Sequence, residues 1–168
     1  MRKTVLDLGS TSYYILGDEV SKFENEFSIY VNAKYCIGVG NGYDALSLII
    51  RGYGFGKGDE IIVPANTYIA SILPIVNAGA IPVLVEPYLL TYNINPNKIE
   101  EFITAKTKAI LVVHLYGHPA KMKQLKAIAK KNNLKLIEDA APAIGAEYMK
   151  RKCGSFGDFS AFSFQGAK

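Results

Sequence analysis

Apolar residues recur at three- and four-residue steps from Asp18 to Tyr30 (Val20, Phe23, Phe27, Tyr30), which predicts an amphipathic helix. The apolar run Tyr35 to Val39 reads as a short strand. It breaks into Gly-Val-Gly-Asn-Gly-Tyr-Asp (38–44), and the helical period returns from Tyr43 to Arg51. After the polar turn 56–60 come a strand at Ile61 to Val63 and a helix to about Asn77, with Asn66 or Thr67 as candidate caps. Ile81 to Val85 is the next strand, and Pro96 to Thr104 a helix with proline near its start. Ala109 to Val113, Ala120 to Asn132 and Leu134 to Ile137 continue the alternation. Phe159, Ala161 and Phe162 mark a last buried strand. Strands and helices alternating through short connections predict an α/β fold, a mainly parallel sheet with helices on both faces.

Such a sheet presents its ligand at the carboxyl ends of its strands. Tyr43, Asp44, Tyr68, His114, Asp139, Ser163 and Lys168 nearly all fall there. The strand–turn–helix around Gly42 aims free backbone N–H groups at an anion, or is simply a tight turn. It is no dinucleotide fingerprint, because Tyr43 stands where a third glycine belongs, and no Walker loop. Lys168 follows a buried strand and a polar turn. There it is either a surface lysine or an amine made nucleophilic by partial desolvation.

Length and composition narrow the function. At 168 residues, 49% of them apolar, the chain is long enough for one domain with a core. A net charge of +4 is mild, and the lysines of 121–135 are interleaved with Leu125, Ile128 and Ala129 as on a solvated helix face, so no nucleic-acid partner is expected. Cys36 and Cys153 are far apart, and His114 and His118 flank a turn, so no metal site is expected. No apolar run approaches membrane-spanning length and the start has no signal-peptide pattern; a soluble, cytoplasmic protein is expected.

Four ordered motifs carry a resemblance: GDEIIVPANTY (58–68), VVHLYGHPA (112–120), IEDAA (137–141) and FSFQGAK (162–168). They resemble the pyridoxal-phosphate-dependent sugar aminotransferases of the DegT/DnrJ/EryC1/StrS family. The resemblance implies a large domain of the fold-type I transferases with pyridoxal 5′-phosphate as cofactor. It implies Lys168 as the Schiff-base lysine and proton shuttle, Asp139 on the pyridine nitrogen and Tyr68 stacked on the ring. The phosphate would lie on Gly42, Tyr43, Asp44 and the Ser163 hydroxyl. His114 would lie near the cofactor, or serve only as a hydrogen-bonded strand-end histidine. The implied substrates are a nucleotide-linked keto-deoxy sugar, aminated at C3 and carried on dTDP, and glutamate as donor. A homodimer is implied as well. Three departures stand out. Tyr13 follows only a short leader, so an N-terminal helix common in the family is expected to be missing. Pro142 occupies the position where the family usually has a glutamine. The sequence ends at Lys168, so residues 1–168 are expected to form a partial large domain without the small C-terminal one, which by itself would not turn over.

Overall fold

The structure, a computed structural model, describes residues 17–165; Lys168 lies outside them. The chain divides into two compact units, Met1–Gly38 and Val39–Lys168. In the first, helix α1 (Asp18–Val31) carries Asp18 and Glu19 in its first turn, where the helix dipole favours acids, and ends on Asn32 in the left-handed conformation. Phe23 and Phe27, four residues apart, stack at 5.5 Å. Glu24 accepts the Gly38 N–H at 2.6 Å. The strand expected at Tyr35 to Val39 is not formed: Tyr35 and Ile37 are 73% and 78% exposed, and no described strand pairs with them.

The second unit is built on five parallel strands, β1 (Glu60–Pro64), β2 (Ile81–Val85), β3 (Thr107–Val113), β4 (Lys135–Asp139) and, after a hairpin, β7 (Phe159–Ala161). Their spatial order is β2-β1-β3-β4-β7. Helices α2 (Gly42–Gly52) and α3 (Ile69–Asn77) cover one face; the short α4 (Pro96–Ile99) and α5 (Met122–Lys131) cover the other. The strands alternate between two cores. Ile61, Val63, Leu111 and Ile137 pack with Leu46, Ile50 and Ile75 of α2 and α3, whereas Ile62, Ile110, Val112 and Leu136 pack with Ile99, Met122 and Leu125. Each such side chain removed from water contributes about 1.5–3 kcal/mol, so both faces of the central strands are committed. The register is therefore strongly specified, since a slip by one residue would exchange the two cores.

Three elements differ from the sequence reading. The helix predicted from Pro96 to Thr104 is one α-turn followed by a 3₁₀ turn at Glu100–Phe102. Helix α3 is capped at Tyr68, without a side-chain bond, because the Thr67 hydroxyl turns instead to Ser71 at 2.9 Å. A two-stranded hairpin, β5 (Glu147–Tyr148) and β6 (Arg151–Lys152), was not anticipated; its turn holds Met149 and Lys150 at positive φ. Among the described residues no helix is long and apolar enough to cross a membrane.

Candidate active site at the carboxyl ends of the strands

Strand periodicity decides what Asp139 and Glu138 can do. As consecutive residues of β4 they point to opposite faces: Asp139 toward α3, Glu138 toward His114 and the 154–157 loop. The Asp139 carboxylate, 6% exposed, accepts the Ser71 hydroxyl at 2.7 Å on Oδ2 and the Ala141 N–H at 3.1 Å on Oδ1. Ser71 gives its single proton to Asp139, so Thr67 supplies the donor between the two hydroxyls. The chain Thr67–Ser71–Asp139 holds one buried anionic group fixed at the strand end. Such a group suits a protonated ring nitrogen, whose charge would compensate its burial. Tyr68, immediately before α3, is 72% exposed and presents an open ring.

The second half of the site is the start of α2. Asn41 caps it, its Oδ1 accepting the Asp44 N–H at 3.0 Å while its Nδ2 donates to the Asp44 carboxylate at 3.1 Å. The Asp44 amide, assigned to an anion by the sequence, is thus taken by the cap. The amides of Gly42 and Tyr43 lie in the first turn and have no partner within the helix. A Cβ on Gly42 would stand 3.2 Å from Ser163 Cβ and 3.3 Å from the Phe162 carbonyl, so glycine lets the helix start approach the segment after β7. The approach sets two amide donors beside Ser163, whose hydroxyl would complete a donor set suited to a phosphate. The Tyr43 side chain is occupied elsewhere: its hydroxyl accepts the Asn77 side-chain N–H at 2.6 Å and ties α2 to α3.

His114 does not join this group. It is fully buried, its Nδ1 accepting the Ala120 N–H at 3.1 Å and its Nε2 lying 2.9 Å from Glu138 Oε2, which places the ring proton on Nε2. With both nitrogens engaged by the protein, it has no group left for a ligand; of its two sequence readings, the hydrogen-bonded strand-end histidine is the one formed. Glu138 is the unforeseen residue here. It is fully buried and also accepts the amides of Gly154 (2.8 Å), Phe156 (2.7 Å) and Gly157 (2.6 Å). Burial pushes its carboxyl up, but the His114 hydrogen bond and the Gly157 and Gly154 amides outweigh it and hold the group below its ordinary value of 4.5. A depressed carboxyl contributes stability that is present above the unfolded value and lost as pH falls through the folded one. The unfolding midpoint should therefore drop on acidification from about pH 5 to about pH 3, and Glu138→Gln should remove that part of the drop. Equal slopes in the two proteins would refute the assignment.

Pro142 lies in the turn after Asp139, closed by the Ala143 N–H to the Ala140 carbonyl at 3.0 Å; its own carbonyl would be 3.2 Å from a Cβ on Gly117. Ser71 and Thr67 were missed by sequence reasoning. A serine four residues after a threonine, inside the apolar helix Ile-Ala-Ser-Ile-Leu-Pro-Ile, was the available signal. The candidates brought together are Asp139, Tyr68, Gly42, Tyr43 and Ser163, with Ser71 added and His114 set apart.

Comparison with known proteins gives this geometry a context. The DegT/DnrJ/EryC1/StrS aminotransferase family matches residues 1–168. A dTDP-3-amino-3,6-dideoxy-alpha-D-galactopyranose transaminase of Aneurinibacillus thermoaerophilus is 62% identical over 154 residues, 92% of this chain and 42% of the relative. A dTDP-3-amino-3,4,6-trideoxy-alpha-D-glucose transaminase of Streptomyces venezuelae is 47% identical, over 98% of this chain and 42% of its own length. Among solved structures, S. venezuelae DesV in complex with a ketimine intermediate superposes with a TM-score of 0.96 at 44% identity, over 99% of this chain and 45% of that one. The PLP form of a putative sugar aminotransferase of Streptococcus pneumoniae superposes at 0.94 and 31% identity, over 98% and 46%. The chain spans less than half the length of each of these relatives. With the motifs, the parallel sheet and the family match in agreement from end to end, the chain belongs to the DegT/DnrJ/EryC1/StrS aminotransferase family.

Proposed function

We propose that this chain forms the cofactor-binding part of a pyridoxal-phosphate-dependent transaminase that moves an amino group, with glutamate as donor, onto C3 of a dTDP-linked keto-deoxy sugar. The observation that carries the reading is the pairing of a buried, hydroxyl-fixed Asp139 with the Gly42–Ser163 cradle at the same end of the sheet. Pyridoxal phosphate, when bound, supplies an electron sink that lets an amino group pass between donor and acceptor carbons. The protein's part is to hold and orient it. Asp139 keeps the ring nitrogen protonated by charge pairing, with Ser71 and the Ala141 amide fixing the carboxylate so that little reorganisation is needed. Tyr68 offers a flat face to the ring. The Gly42 and Tyr43 amides and the Ser163 hydroxyl take the phosphate. Lys168, reached five residues after Ser163, is the proposed amine that holds the aldehyde and shuttles the proton. The proposed assembly is a homodimer. The exposed stripe Ile69, Leu73 and Val76 on α3, next to Tyr68, supports a second subunit on that face. The C3 and dTDP assignments rest on the two transaminases named above.

The test is covalent. Mixing the protein with pyridoxal phosphate should raise a visible absorption band, and borohydride should abolish it and fix the label on Lys168. A label spread evenly over the surface lysines would sink the proposal.

A further inference from the structure

The Glu138 carboxylate touches nothing in the proposed site, yet it gathers more donors than Asp139. It takes the His114 ring N–H from the end of β3 and three backbone N–H groups from 154–157. That loop has little slack. Gly154 sits at φ +87 with the Phe162 ring where a Cβ would be, and a Cβ on Gly157 would stand 2.6 Å from the Leu136 carbonyl. The loop feeds β7 at once: Asp158 exchanges bonds with Leu136 at 2.8 Å each way, and Phe159–Ala161 pairs with Ile137–Asp139. Phe162 and Ser163 come next, and their backbone and Cβ are what Gly42 packs against. A rigid connection therefore runs from Glu138 through the loop and β7 to the hydroxyl beside the α2 start.

We infer that Glu138 is a positioning residue: by binding the Gly154, Phe156 and Gly157 amides it fixes β7 so that Ser163 meets the first turn of α2, and so sets how tightly the site holds a phosphate. The inference rests on the proposed function only for the identity of the phosphate. Four donors converge on a carboxylate, and an amide in its place can accept but must also present N–H to donors. Glu138→Gln thus unfastens part of the loop while keeping its volume.

The experiment compares pyridoxal phosphate with pyridoxal, which lacks the phosphate, on the wild-type chain and on Glu138→Gln. Affinity for pyridoxal phosphate should fall about tenfold while that for pyridoxal changes less than about twofold. Ser163→Ala, which removes the hydroxyl itself, should give the same pattern. Amide hydrogen exchange of the cofactor-free proteins should rise together at 154–157 and at 162–165. If Glu138→Gln does not fold cooperatively, Glu138→Asp, which keeps the charge and withdraws it by one methylene, takes its place with the same expectation. A parallel fall for both ligands would overturn the inference, as would exchange that rises at 154–157 and leaves 162–165 unchanged. Should the wild type bind pyridoxal phosphate no better than pyridoxal, the proposed function fails, and the exchange data still decide whether Glu138 holds Ser163 in place.

Discussion

In the proposed transaminase of which this chain forms the cofactor-binding part, Asp139→Asn should reduce amino transfer by about 10²–10³-fold, the usual loss when one preorganised electrostatic group is removed from an active site. The substitution keeps the size and planar shape of the side chain. One oxygen remains for the Ala141 N–H, and the Ser71 hydroxyl, backed by Thr67, can turn to accept the new N–H₂. The fold should survive, so the deficit falls on the chemistry. In the proposed function, what disappears is the negative charge that would favour a protonated ring nitrogen, and a neutral ring draws electrons far less strongly. Within a buried site this loss is screened little by water, which is why it should exceed the effect of any surface charge change. Single-turnover rates under saturating cofactor, with circular dichroism to verify the fold, make the measurement. A rate within about threefold of wild type, well short of the range expected for such a group, would show that another residue holds the nitrogen.

Gly154→Ala should be among the most damaging single methyls in the described residues, costing about 2–4 kcal/mol of stability through backbone strain and overpacking together. Residue 154 sits at φ +87, a region an L side chain rarely adopts, and its Cβ would fall 2.7 Å from Phe162 Cε2 and into the rest of that ring. Relief by moving the backbone is closed off, because the Gly154 N–H is bound to the buried Glu138 carboxylate at 2.8 Å. The urea midpoint should fall without a change in slope. Adding Phe162→Ala removes the overlap but not the backbone strain, and trades it for a cavity, so the double mutant should be less destabilised than the sum of the two singles. Simple additivity would mean that residue 154 and the Phe162 ring do not compete for space.

Much of the scaffold was legible because it is written in short-range periods. Val20, Phe23, Phe27 and Tyr30 define α1 by spacing alone, and the run Ala109–Val113 announces a strand buried on two faces, whereas the equally apolar Ile81–Val85 forms an edge strand with Ile81 and Leu84 exposed. Misreadings occurred where a partner outside the local window decides. Tyr35–Val39 has a strand's composition, but a strand exists only where a neighbour completes its hydrogen bonds, and no described strand does. The hairpin Glu147–Lys152 was hidden for the opposite reason: polar residues with little period are paired there by a turn at Met149 and Lys150.

For the site, the sequence by itself placed Tyr68, His114, Asp139 and Ser163 at the carboxyl ends of strands, because chain direction and right-handed crossovers leave a parallel sheet little choice, whereas the strand expected before Tyr43 and Asp44 is not formed. Glu138 was not among the sequence candidates; with β4 running through Asp139, these adjacent strand residues face opposite ways. Only the tertiary structure decided which of the two meets Ser71 of α3 and which meets His114. It alone made the Asn41 cap, rather than a ligand, the partner of the Asp44 amide, and supplied Ser71 as the hydroxyl on Asp139 from 68 positions away. The physical reason is the range of the forces. Steric preference and hydrophobic period act within a few residues, whereas a buried polar group must be satisfied by whatever the packed fold brings within 3 Å or so, and that is settled when the sheet order β2-β1-β3-β4-β7 closes around it.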